Sequence, residues 1–170
     1  HFIGIDSGVR HTVSGASYGE VRCAAFMGYS IIAQHYGASV SEIKQANENR
    51  DWKSLPFEGY LCNINAAEFA SDVKKLLPEK ISGRDFMGKY KVTTDSVTSI
   101  NPSVEYHVLN CAAHPVYENQ RVKKFQSIIL GWKGEAHQAA KLGELMYEAH
   151  QGYSVCRLGS DRTDEIVNTA

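Results

Sequence analysis

The densest run of residues able to do chemistry is Asp6-Ser7-Gly8-Val9-Arg10-His11, followed by Ser14-Gly15-Ala16-Ser17-Tyr18-Gly19-Glu20-Val21-Arg22. A permanent guanidinium at Arg10, beside the free amides of a helix N-terminus, is suited to hold an anion or to polarise a nucleophile. The plainer alternative pairs Arg10 with Asp6 or Glu20 at the surface and packs Tyr18 at the helix start. Two further polar runs read structurally. His114-Pro115-Val116-Tyr117-Glu118-Asn119 is expected to open a helix, and Gly159-Ser160-Asp161-Arg162-Thr163-Asp164 to cap one with exposed charges. Neither of the common phosphate-cradling loops, G-x-x-x-x-G-K-S/T and G-x-G-x-x-G, occurs. The seven histidines show no H-E-x-x-H or other ligand spacing, so no metal site is expected, and G-x-S-x-G is absent.

The elements that must position these residues follow from apolar spacing. Phe2, Ile3 and Ile5 suit a short buried strand closed by Asp6-Ser7-Gly8. Ser17 and Glu20 form a capping box that predicts a helix over 17–37, with Val21, Ala24, Ala25, Gly28, Ile31, Ile32 and Tyr36 on its inner face. Ser39 with Glu42 predicts a second helix, and Asn65 with Glu68 a third that runs to Pro78. Residues 47–52 and Pro56 read as a surface loop, 82–90 as a short helix, and the alternation over 104–109 as a strand. Pro115 at a first helical position predicts a helix over 114–131, with Val116, Val122, Phe125, Ile128 and Ile129 buried. A helix over 135–150 turns Ala139, Leu142, Leu145, Met146 and Ala149 inward and stops near Gly152, and Ser160 or Asp161 caps a last helix. Met27 and Met146 both read as core. Four or more helices and two distant short strands predict an α+β fold, mostly helical with a small antiparallel sheet. The strands either pair with each other or belong to a larger sheet.

Composition bounds the function classes. The 170 residues are 43% hydrophobic and 22% charged, enough to build one core, so disorder is excluded. With 18 basic against 19 acidic side chains the net charge is −1, which gives no broad field for nucleic acid or an anionic bilayer. The longest charge-free run, 23–41, holds Gln34, His35, three serines and two glycines, and is not expected to span a membrane. Cys23, Cys62, Cys111 and Cys156 are far apart, form no C-x-x-C pair, and read as reduced thiols of a cytoplasmic protein. The chain opens on His1 rather than Met, which raises the expectation that it is a piece of something longer.

The segment over residues 6–22 resembles a motif of galactokinase-type sugar kinases of the GHMP kinase superfamily. The resemblance continues in order through Tyr60-Leu61-Cys62-Asn63, His114-Pro115-Val116-Tyr117-Glu118-Asn119-Gln120-Arg121-Val122, residues 142–150 and Gly159-Ser160-Asp161-Arg162-Thr163-Asp164, and is most marked toward the L-arabinokinase branch. Arg157 stands where that branch tends to have glycine. The resemblance implies a middle-to-C-terminal fragment, over 1–170, of an ATP-dependent kinase. Such an enzyme passes a phosphoryl group to the anomeric hydroxyl of galactose or L-arabinose, with ATP and Mg as cofactors of the complete protein. It implies Arg10 as a catalytic residue near the family's catalytic aspartate, Tyr18 as a sugar-binding residue, and Asp6 as a strand-end residue rather than the base. It also implies that the N-terminal ATP-binding part and the final glycine-rich motif are missing, so that the fragment alone is inactive. The alternative is a non-catalytic GHMP-like module that binds a small sugar or a protein partner.

Overall fold

The computed structural model describes residues 4–9 and 16–169. Among the described residues, seven α-helices and one two-stranded antiparallel sheet follow in the order α1 (Ala16–His35), α2 (Val40–Asn49), α3 (Ala66–Glu68), β1 (Ile81–Ser82), α4 (Gly83–Lys89), β2 (Glu105–Tyr106), α5 (Val108–Leu130), α6 (Ala136–Val155) and α7 (Asp161–Thr169). The fold is α+β and mostly helical, as the spacing predicts. α3 continues through a wide turn over Phe69–Val73 and a tight one over Lys74–Leu76, so the predicted stripe is an irregular helix that places Phe69 and Val73 in the core.

Capping chemistry sets several boundaries. Ser39 accepts from the Glu42 amide while the Glu42 carboxylate accepts from the Ser39 amide, the reciprocal pair that the sequence predicts for α2. Asn65 caps α3 and Ser82 caps α4 in the same way, each through a side-chain oxygen that accepts from backbone amides. α1 starts at Ala16, so Ser17 is inside the helix and does not occupy the capping position expected of it.

The core lies where α1 crosses α5. Met27, Ile32, Val108, Ala112 and Val116 have no more than a trace of exposed surface, and Phe69, Val73 and Phe86 close the cluster from the other elements. Gly28 sits at the crossing: a Cβ built on it would come within 2.5 Å of the Ala112 Cβ, so only a missing side chain admits this approach.

Several expectations are corrected. Residues 4–9 form no strand and Ile5 is 62% exposed, while Phe2 and Ile3 fall outside the described residues. The strand near Tyr106 pairs instead with Ile81–Ser82, Ile81 opposite Tyr106 and Ser82 opposite Glu105. It is short because α5 begins at Val108, six residues before His114, and Pro115 lies inside the helix. Proline removes one helical hydrogen bond there, yet burial of Val108, Cys111, Ala112 and Val116 against α1 carries the helix through it. Finally, the far halves of α5 and α6 are less buried than their stripes suggest. Val122, Ile129 and Met146 are exposed, Ala139 likewise, and Leu145 alone of the predicted inner face of α6 is buried. α6 also runs past Gly152 to Val155.

Candidate active site

Of the two site residues that the resemblance implies, Arg10 lies outside the described residues. Tyr18 sits in the first turn of α1 and is 39% exposed, a position from which its hydroxyl can meet a ligand. Asp6 is committed locally: its carboxylate accepts from the Gly8 amide at 2.8 Å, and Gly8 turns the chain at φ +68°. The carboxylate serves this turn, and no strand ends at Asp6 as the resemblance implies it should.

One turn along α1 from Tyr18, Arg22 forms a bridge that the sequence reading missed. Its Nε lies 3.1 and 3.2 Å from the two Asp95 carboxylate oxygens, and its second terminal nitrogen lies 2.9 Å from Oδ1. The Asp95 side chain is 2% exposed and also accepts from the Val97 amide at 2.9 Å, the Thr98 amide at 3.3 Å and the Thr98 hydroxyl. Burial pushes the Asp95 carboxyl up, but the Arg22, Thr98 and Val97 hydrogen bonds outweigh it and hold the group below the usual carboxylate range. Arg22 is held protonated chiefly by Asp95 and further by Tyr18, and it lies over the Phe26 ring at 4.8 Å. The bridge fixes the helical turn that carries Tyr18 against the 91–101 loop. Only the helical spacing of Tyr18 and Arg22 could have hinted at it, because Asp95 lies 73 residues away.

The remaining motif segments meet one another instead of forming one polar cavity. The Asn119 amide donates to the Cys62 carbonyl at 2.6 Å, joining the His114 segment to the Tyr60 segment. Glu118 and Arg121 pair at 2.8 Å along α5. His114 and Arg121 lie against Gly152 of α6, where a Cβ would stand 3.0 and 3.1 Å from them. Burial holds the His114 imidazole below the ordinary histidine value, with Arg121 lowering it further and Glu118 opposing both. His150 Nε2 and Asp164 Oδ1 are 2.8 Å apart, which ties α6 to α7. Ser160 caps α7, its oxygen accepting from the Thr163 amide at 3.3 Å, and Arg162 and Glu165 form an exposed pair. The structural readings of these runs therefore hold, with His114 inside a helix rather than opening one. Arg157 has φ +65°, the left-handed geometry that glycine adopts without strain.

Among the described residues no group of three or more His, Cys, Asp or Glu is arranged to hold a metal ion, and no helix is long and apolar enough to cross a membrane. All four cysteines are free.

By sequence the chain is related to a segment of a sugar kinase. That relative is the L-arabinokinase of Arabidopsis thaliana, 35% identical over 177 aligned residues that take in 98% of this chain and 17% of that protein. The chain thus spans about a sixth of the length of the curated relative it matches. No family model and no solved structure matches it.

Proposed function

We propose that this chain is part of an ATP-dependent sugar kinase that phosphorylates the anomeric hydroxyl of L-arabinose or galactose, and that it supplies a catalytic cation and one wall of the sugar pocket. The observation that carries this reading is the 35% identity to an L-arabinokinase along 98% of the chain, with Tyr18 presented on the first turn of α1. In this reading 1–170 is a middle-to-C-terminal part of a GHMP kinase. Arg10 is the fixed cation that keeps a nearby carboxylate ionised and stabilises charge growing on the transferred phosphoryl group. The Tyr18 hydroxyl hydrogen-bonds the sugar, and the bridge from Arg22 to Asp95 holds Tyr18's helical turn in place. ATP and Mg belong to the complete protein.

The test is a steady-state assay of the full-length protein with L-arabinose and galactose, with release of ADP as the readout. Arg10→Ala should lower kcat by about two to three orders of magnitude, the usual loss for a transition-state donor, while Tyr18→Phe should mainly raise the sugar KM. Unchanged turnover in Arg10→Ala would overturn the catalytic assignment. Absence of phosphorylation of either sugar would overturn the substrate class.

A further inference from the structure

α5 and α6 carry apolar side chains that the two helices do not cover. Val122, Phe125 and Ile129 recur along one side of α5, and Leu145, Met146 and Ala149 along the facing side of α6, at the spacing that turns one face of a helix toward a core. These stripes flank a groove of about 600 Å³ whose lining comes from α5 and α6 alone. Leu145 is buried, but Val122 is 54% and Met146 60% exposed, and Leu130 and Trp132 extend the apolar surface past the end of α5. Glu118 and Arg121, paired at 2.8 Å, close the opposite end.

We infer that a helix of the same polypeptide, from outside residues 1–170, lies in this groove and completes a three-helix layer with α5 and α6. The inference rests on the reading of this chain as part of a longer protein, and not on the sugar or the reaction. Shape, charge and connectivity point to this occupant. From Glu118 to Ile129 the groove follows α5 for about 16 Å, roughly three turns of a partner helix. A groove between two helices takes a third through apolar residues three and four apart. The charges of Glu118 and Arg121 cancel, so the groove has no field to draw in a nucleic acid or an anionic lipid surface. A segment of the same polypeptide is present at an effective concentration of about millimolar whatever the protein concentration, which favours it over a second copy. Chain length does not limit the supply, because the aligned residues make up 17% of the L-arabinokinase they match.

The three methionines of 1–170 report on the groove in the native full-length protein, oxidised briefly with hydrogen peroxide and mapped by mass spectrometry. In 1–170 Met146 is more exposed than Met87 and Met27 is buried, so a seated helix should invert the order and leave Met146 as slow as Met27. Oxidation of Met146 faster than Met27 would overturn the inference. Protection that disappears on dilution would also overturn it, by making the occupant a second copy. A photoreactive amino acid incorporated in place of Gln126, which lines the groove, should capture a peptide from outside 1–170 whose apolar residues recur three and four apart. Capture of anything else would count against the inference. Val122→Lys combined with Met146→Lys should lower the Tm of the full-length protein, because a covered charge is costly where an exposed one is nearly neutral; an unchanged Tm would refute the covering. The ADP-release assay remains the separate test of the kinase reading, so a protein that protects Met146 but phosphorylates neither sugar would sink that reading alone.

Discussion

Asp95 is the residue whose charge the structure has gone furthest to accommodate. A carboxylate with 2% exposure is unfavourable unless its lone pairs are filled, and Arg22 fills them in a two-pronged arrangement while Val97 and Thr98 supply the rest. Arg22→Ala leaves that charge buried with only the loop donors, so the protein should lose roughly 3 kcal/mol, the low end for breaking a buried pair. Asp95→Asn with Arg22→Met should recover part of it; equal denaturant midpoints for Arg22→Ala and the parent protein would refute this role. His114 makes a prediction of a different kind. Its imidazole is held below the ordinary value of 6.5 by burial and by Arg121, so the native state disfavours the proton. The unfolded chain then binds more protons over that interval, so the contribution is fully present above about pH 6.5 and is lost as pH falls through the lower native value. Tm measured against pH should fall over this window in the parent and fall less in His114→Gln. None of this was legible from residue type alone. His114 belongs to a run that the sequence marks, but its environment is built by Gly152 and Arg121, and Asp95 sits in a stretch whose local sequence gives no sign of a partner.

At the scale of elements, what was legible is what local chemistry decides. Ser39, Asn65, Ser82 and Ser160 cap the helices that follow them because a side-chain oxygen next to free amides is favourable, although the same local signal at Ser17 falls inside α1. What failed depended on contacts distant in sequence. Pro115 is a good helix starter in isolation, and only the packing of Val108 and Ala112 on α1 makes it an interior residue. The strand expected at Ile5 is replaced by Ile81–Ser82, a pair too short to carry any alternation. Arg157 holds a left-handed φ of +65° without being a glycine. The crossing of α1 and α5 supplies the sharpest test of element packing. With 2.5 Å between a built Cβ on Gly28 and that of Ala112, Gly28→Ala must push the helices apart. Overpacking of this kind costs about 1–3 kcal/mol in excess of what better helix propensity returns. Adding Ala112→Gly should restore much of the stability, and a Gly28→Ala protein as stable as its parent would show that the helices do not meet so closely.

At the scale of the whole molecule, the arrangement of motifs bears on what the chain can do by itself. The segments that resemble a sugar kinase are used largely to brace one another: Asn119 to Cys62, His114 and Arg121 to Gly152, His150 to Asp164. They make a scaffold, and Tyr18 is carried at its surface. A bound sugar is usually buried over most of its area, so a side chain that is 39% exposed can form only one wall of such a pocket. Phosphoryl transfer further requires a nucleotide held in line with the acceptor, since positioning and electrostatic stabilisation provide nearly all of the catalysis. The 170-residue chain carries neither of the two common phosphate-cradling loops. On the proposed function, the isolated chain should bind neither nucleotide nor sugar saturably and should release no ADP, whereas the full-length protein should bind both and release ADP. Calorimetric titration of the isolated chain with ATP and Mg, then with L-arabinose, measures this directly, with circular dichroism of the same sample establishing that the helices are formed. Saturable binding of both ligands to the folded chain would place a complete site within these residues and overturn the division of labour proposed for it.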